Sequence, residues 1–319
     1  MNVKVSIIIP VYNVSSFLDK CISSCISQSF KDIEIIVVND GSTDDSIQII
    51  RKYAAEDKRI VVVDEENQGV MFARKSGLDI ARGEYVFYLD GDDFIEENTI
   101  EILFQKTIDQ GADYVIGRFY EVLNGVKKRT FNTGFDELSG PNLLTYILGH
   151  GWNLCGRLIK KSLFDGIIYK PIYMGDDLFV NMQITPKVKK AAWVDAYVYD
   201  YVRHAASVTN RGGDNSLKLN MEMLEGIFFL LTVYTYDQKI IEWVYVRFFP
   251  FLFSCMEKRK TEINSILRSY YWDKKEVKVF LWKKKKLLYW IVGGYLSYPT
   301  VTGLVVKVGK RLLIHYAVR

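Results

Sequence analysis

Four short apolar runs punctuate the first hundred residues at near-even spacing: residues 5–9 (VSIII), 33–39 (IEIIVVN), 59–64 (RIVVVD) and 85–90 (YVFYLD). Their β-branched, nearly continuous apolar character is that of parallel strands covered on both faces, which rarely alternate polar with apolar. Helical patterns fill the gaps at 15–29, 43–55 and 69–81, the last placing Val70, Ala73, Gly77 and Ile80 on one face. The segment DGSTDDS (40–46) supplies a turn and N-cap chemistry for the second helix. Strands alternating with helices imply a doubly wound α/β sheet with helices on both faces. Such sheets bind ligands beyond the carboxyl ends of their strands, so the polar residues found there carry the functional reading.

After residue 100 the pattern changes. Residues 119–132 read as a hairpin turning at Asn124-Gly125. Helices are expected near 143–148 and 177–185, and one or two strands over 191–204 (AAWVDAYVYDYVRH). A polar break, TNRGGDNS (209–216), reads as a linker. The expected division is therefore 1–216, itself split at about residue 100, followed by a helical region 217–319 rich in aromatic and basic residues. Of the overall net charge of +4, residues 217–319 carry +10 and the rest −6. An acidic body with a basic tail points to a second job at an anionic surface. Within that tail, residues 280–316 join the cluster KKKK to an aliphatic and aromatic stretch, uncharged over 287–306 but broken by Gly293-Gly294 and Pro299. Helices lying on an anionic inner membrane surface are expected there, with helical packing or dimerisation, or a true span, as alternatives. Four cysteines (Cys21, Cys25, Cys155, Cys255) lack metal-site spacing, and the chain enters a strand directly, so a reducing, cytoplasmic setting is expected.

Each strand end carries a distinct chemistry. The loop PVYN (Pro10 to Asn13) is not glycine-rich, which excludes a dinucleotide fingerprint and a P-loop. It offers Tyr12, either a ring on which a planar base can stack or an ordinary turn tyrosine. Asp40, after the second strand, can accept a hydrogen bond from a base N–H or can cap a helix. Arg74 follows the third strand and can reach a phosphate or base, or stay solvated. The fourth strand ends in Asp90-Gly91-Asp92-Asp93. Carboxylates this close repel one another unless a cation or an open site relieves them, and hard oxygen donors suit Mg2+ or Mn2+. Gly91 lets the backbone come close to a ligand. His204, the one histidine inside a motif, can ligate a metal, bind a diphosphate or serve the structure alone.

The segments VSIIIPVYN, IEIIVVNDGSTDDS and NQGVMFARKSGLDIARGEYVFYLDGDD resemble the family 2 nucleotide-sugar glycosyltransferases, with a weaker likeness through WNLCGRLIKKSLF, YMGDDLFVN and YDYVRHAASVT. That resemblance implies a GT-A fold, Rossmann-like with a mostly parallel sheet, whose first hundred residues bind the nucleotide and whose residues 101–216 face the acceptor. It implies a UDP-sugar donor held by Pro10, Tyr12, Asn13, Asp40, Arg74, Asp90 and Gly91. Asp92 would hold Mn2+ or Mg2+, with His204 a further candidate. The family inverts the anomeric centre in a single displacement and needs a base; the pair Asp176-Asp177 matches its acidic pair, with Asp177 as the base. Asp176 stands where the family usually has Glu. Arg157, in place of a more frequent Lys, joins Trp152 and Arg203 on the acceptor side.

The expected function is therefore metal-assisted transfer from a UDP-sugar to a saccharide or lipid-linked acceptor, in surface-glycan synthesis, by an enzyme peripheral to the cytoplasmic membrane and capable of forming a homodimer. Nothing in the body reads bases in a polymer, so nucleic acid is not an expected partner. A sugar-1-phosphate nucleotidyltransferase would want a glycine-rich first loop. A non-catalytic nucleotide-sugar-binding module would not need intact carboxylates at both 90/92 and 176/177.

Overall fold

A computed structural model describes residues 3–130, 133–204, 214–241 and 243–244. The chain divides into two compact units, Met1–Leu219 and Asn220–Arg319. In the first, β1 (Val5–Val11), β2 (Ile33–Asp40), β3 (Ile60–Glu65) and β4 (Tyr85–Tyr88) alternate with α1 (Ser15–Ile26), α2 (Ser46–Glu56) and α3 (Val70–Ile80). These four strands pair in parallel in the order β3-β2-β1-β4. Every residue of β1 and β2 is buried, which is why their sequences are almost unbroken apolar runs. Each buried Ile or Val there contributes about 1.5–3 kcal/mol relative to exposure. Glu34, a buried carboxylate of β2, is fully satisfied: Ser6 Oγ, the Arg82 amide and the Arg82 guanidinium all donate to it.

α3 packs on the sheet through Gly77, where a Cβ would come within 2.5 Å of Ile8 Cγ2. The buried face of α3 is Met71, Ala73, Arg74, Gly77 and Leu78. The expected stripe is thus corrected at its ends: Ile80 is exposed, and an arginine takes a place on the buried side. The N-cap chemistry expected of DGSTDDS is also different in kind. Asp44 accepts from the Ser46 amide and from the Ser15 amide, so it ties the starts of α2 and α1 together.

Beyond α4 (Thr99–Gln110) the same sheet continues as β5 (Tyr114–Leu123), β6 (Val126–Arg129), β7 (Arg157–Lys160) and β8 (Ala191–Arg203). β7 inserts antiparallel between β4 and β5, and β6 pairs antiparallel with β5, while β8 runs parallel to β5. The second half is therefore mixed rather than parallel. The β5–β6 turn falls at Asn124-Gly125, both with positive φ (49° and 79°), as a type I′ hairpin requires. Residues 191–203 form a single strand, with a register shift near Arg118. Two further helices, α5 (Gly140–His150) and α6 (Asp176–Ile184), complete this half.

α7 (Asp214–Val233) begins inside the stretch expected to be linker, so residues 214–216 are helical; the rest of that stretch lies outside the described residues. In the second unit, Met223, Leu224, Ile227, Phe228 and Leu230 of α7 are buried. Among the described residues no helix is long and apolar enough to cross a membrane. The basic and aromatic stretch 280–316, with its uncharged segment 287–306 and Cys255, lies outside the described residues.

Candidate active site

The strand order reverses between β1 and β4, and a crevice opens beyond the carboxyl ends of strands at such a switch point. Loops from β1, β2, β4 and the start of α6 converge there. Pro10 lies in β1, beyond the stretch paired with β4, so its missing N–H costs no ladder bond. Tyr12 stands at the strand's end, 48% exposed. Asn13 adopts a left-handed backbone (φ 53°), and its side-chain oxygen accepts from the Thr43 amide at 2.7 Å. The first loop is thereby fastened to the second, with the Tyr12 ring left open.

Asp40 is buried and caps no helix; its two oxygens accept from the amides of Gln68 (2.7 Å) and Gly69 (2.9 Å). Its carboxylate thus shapes the loop leading into α3, where Gly69 takes φ 93°.

Arg74 is not a solvated helical arginine. It is 6% exposed and sits among three carboxylates. Nη1 donates to Asp176 Oδ2 (2.5 Å) and Asp177 Oδ1 (2.7 Å), and Nη2 donates to Asp90 Oδ1 (2.7 Å). One guanidinium on α3 thus joins the DGDD turn to the first turn of α6, whose Asp176 and Asp177 lie 102 and 103 positions from Arg74 in the chain. A single positive charge does not neutralise three negative ones. Burial pushes the Asp177 carboxyl up, Arg74 pulls it down, and Asp176 and Asp90 push it up again, to about 7. Asp176 is raised for the same reasons. Asp177 keeps 22% of its side chain open to solvent, whereas Asp176 keeps 12%. Asp177 is accordingly the carboxylate better placed to meet a substrate.

Gly91 makes the turn after β4 possible: a Cβ there would lie 3.0 Å from Val14 and 3.2 Å from the Pro10 carbonyl. Asp92 Oδ2 lies 2.8 Å from His204 Nε2, brought from the far end of β8. The two candidate metal ligands are therefore neighbours. Burial and the charge of Asp90 raise the Asp92 carboxyl, and His204 opposes them; a cation would relieve the same strain. One carboxylate and one imidazole, completed by diphosphate oxygens and water, fit Mn2+ or Mg2+. Among the described residues no group of three or more His, Cys, Asp or Glu forms a complete metal cage.

The acceptor-side expectations meet a mixed outcome. Arg157 is corrected: it is buried and turned inward, donating to Tyr114 Oη (2.6 Å), the Gly151 carbonyl (2.5 Å) and Asn153 Oδ1 (3.3 Å). Tyr114 in turn donates to Asn181, whose amide donates to the carbonyls of Trp152 and Asp177. Arg157 thus braces the loop 151–153 and, through Tyr114 and Asn181, the helix that carries Asp176 and Asp177. Trp152 lies on that loop, and Arg203 is half-exposed and paired with Glu121 at 2.8 Å. Tyr199, Asn181 and Cys155 were not singled out from sequence, although all three lie within the quoted segments. Tyr199 accepts from the Asp90 amide and Cys155 Sγ lies 3.5 Å from Arg74 Nη2.

The model of glycosyl transferase family 2 matches residues 6–167. The chain belongs to glycosyltransferase family 2. Its relatives include the glycosyltransferase GlyA of Streptococcus pneumoniae, 32% identical over 213 residues, a match covering 62% of this chain but 30% of GlyA. The pneumococcal glycosyltransferase GlyG is 31% identical over 222 residues, covering 65% of this chain and 73% of GlyG. The cholesterol galactosyltransferase of Borreliella burgdorferi is 29% identical over 269 residues, covering 78% and 74%. Among solved structures, S. aureus TarS 1–349 in complex with UDP-GlcNAc superposes with a TM-score of 0.68 at 18% identity, covering 92% of this chain and 91% of that one. The fold is therefore the GT-A fold.

Proposed function

We propose that this glycosyltransferase moves a sugar from a UDP-sugar to an acceptor hydroxyl, with inversion at the anomeric carbon and Asp177 as the general base. The observation that carries the reading is the meeting of Asp90, Asp177 and Arg74, with Asp92 on the same turn as Asp90 and His204 against it from the end of β8, at the switch point of the sheet. A base must hold its proton weakly enough to release it and strongly enough to take it from a hydroxyl, which is best near the working pH. Asp177, raised to about 7 by burial and by the charges of Asp176 and Asp90 in spite of Arg74, meets that requirement. Its carboxylate would take the acceptor proton as the acceptor oxygen bonds to the anomeric carbon; the bond to UDP breaks and its electron pair leaves with the diphosphate. Arg74 keeps Asp177 and Asp90 in fixed relation, so the base and the donor-side turn act as one unit.

The exposed Tyr12 ring would stack on the uracil, and the loop held by Asp40 would border it. Asp92 and His204 would hold Mn2+ or Mg2+, and when bound the cation supplies electrostatic stabilisation to the departing diphosphate. UDP as the nucleotide is supported by the TarS complex, which shares this fold. A division into residues 1–216 for transfer and 217–319 for contact with an anionic membrane surface, the latter resting on the net charge of +10, completes the reading. A saccharide or lipid-linked acceptor, as in surface-glycan synthesis, accords with both.

UDP release from a panel of UDP-sugars, with Mn2+ and with chelator, tests this reading. Release with at least one donor, lost on chelation, is expected. No release from any member, with candidate acceptors present, would refute it.

A further inference from the structure

The third carboxylate of the DGDD turn, Asp93, takes no part in the reaction above, yet it is 2% exposed and fully engaged. It does not cap α4, which begins at Thr99 behind Asn98. Its Oδ2 accepts from Tyr199 Oη at 2.6 Å and its Oδ1 from the Val202 amide at 2.7 Å. Tyr199 Oη also accepts from the Asp90 amide at 3.2 Å. Beside these bonds, the backbones of Phe94 and Asp200 pair in both directions (3.4 and 2.9 Å). The end of β8 is thus fastened along its length to the turn after β4. His204 comes two residues after Val202, and its ring meets Asp92 at 2.8 Å and packs on Phe17 at 4.4 Å between centroids.

We propose that Asp93 is a positioning residue which, with Tyr199, ties the end of β8 to the DGDD turn and so sets His204 against Asp92, a role that presupposes the metal-assisted reading of this site. A buried side-chain oxygen that accepts from a backbone amide holds that amide in place, and removing the oxygen leaves a buried donor unsatisfied. The amide that Asp93 holds lies two residues before His204 at the same strand end. Both oxygens of Asp93 are spent on this tether, so the cluster divides its labour: Asp90 to Arg74, Asp92 to the cation, Asp93 to the strand that brings the second ligand. Partners that orient metal ligands in this way affect metal affinity roughly 10–100-fold when removed.

The test compares Asp93→Asn with Asp93→Ala in the full chain. Asparagine keeps an oxygen for the Val202 amide and offers an N–H to Tyr199 Oη; alanine keeps neither. Mn2+ affinity in the presence of UDP, read from free Mn2+ by electron paramagnetic resonance, should fall roughly 10–100-fold in Asp93→Ala and stay near wild type in Asp93→Asn. The double variant D93A/H204A should bind no more weakly than H204A, because Asp93 acts through His204. Tyr199→Phe, which keeps the ring in place, should show a smaller loss and guards against misfolding of the alanine variant. In the metal-free protein, the nuclear Overhauser contact between the Phe17 and His204 rings should vanish in Asp93→Ala and persist in Asp93→Asn. Equal loss of Mn2+ in Asn and Ala variants, additivity with H204A, or a surviving Phe17–His204 contact in Asp93→Ala would overturn the tether. If the wild-type chain binds no Mn2+ with UDP, the metal reading fails, and the ring contact still decides the tether.

Discussion

Replacing Asp177 by asparagine should stabilise the protein while disabling it. In the folded chain, burial among Arg74, Asp176 and Asp90 carries this carboxyl from its ordinary 3.8 up to about 7. A carboxyl whose folded pKa lies above its unfolded value binds its proton more tightly when folded. Stability therefore falls as pH rises from about 4 to about 7, and above 7 the full penalty is in force. The difference corresponds to about 4 kcal/mol at most, and sharing of the cluster's charge among three carboxylates reduces it to about 1–3 kcal/mol. Asparagine has the same shape, can still accept from Arg74 through its oxygen, and carries no charge. Asp177→Asn should thus raise Tm at pH 8 by roughly 2–12 °C, at about 2–4 °C per kcal/mol for a chain of this size. The gain should shrink as pH falls below 7 and approach zero only near pH 4, where the carboxyl is protonated in the folded and the unfolded chain alike. Thermal melts of both proteins across that pH range are the assay. A loss of Tm at pH 8, or a gain independent of pH, would refute the reasoning.

Three further outcomes follow from the same geometry. The kcat/KM of the wild-type enzyme should fall about tenfold per pH unit below about 7, as Asp177 gains its proton; a flat profile from pH 5 to 8 would contradict this. Tyr12→Ala should raise the donor KM roughly 5–100-fold with little change in Tm, since stacking on an exposed ring is worth about 1–3 kcal/mol; an unchanged KM would move the base elsewhere. Gly77→Ala should destabilise by about 1–3 kcal/mol in urea denaturation, because its new methyl would meet Ile8 Cγ2 at 2.5 Å.

What was legible in the sequence was what is local. Three of the four parallel strands, β1, β2 and β4, announce themselves because every residue in them is buried, so no solvent face interrupts the apolar run; β3, at the sheet's edge, is partly open. The hairpin at Asn124-Gly125 is written in the two residue types that tolerate positive φ. The carboxylates of the DGDD turn and of α6 stand out in the sequence because nothing in a strand end or a first helical turn needs so many. What was not legible is long-range. That Arg74 would be buried beside Asp176 and Asp177 depends on a contact 102 and 103 residues away, and no periodicity in α3 marks it apart from an exposed arginine. The same holds for Arg157: a basic residue in a quoted motif reads as a ligand-facing group until Tyr114 and the Gly151 carbonyl are seen to receive it. The parallel pairing of β8 with β5, which delivers Tyr199 and His204, joins strands far apart in the chain.

The central claim is that Asp177 takes the acceptor's proton in a transfer from a UDP-sugar. Its most direct measurement is UDP release under saturating donor and acceptor at pH 8, wild type against Asp177→Asn, with the melt confirming that both are folded. Turnover should fall roughly 100–10,000-fold, the usual contribution of a general base. An Asp177→Asn enzyme that turns over at the wild-type rate would contradict the account.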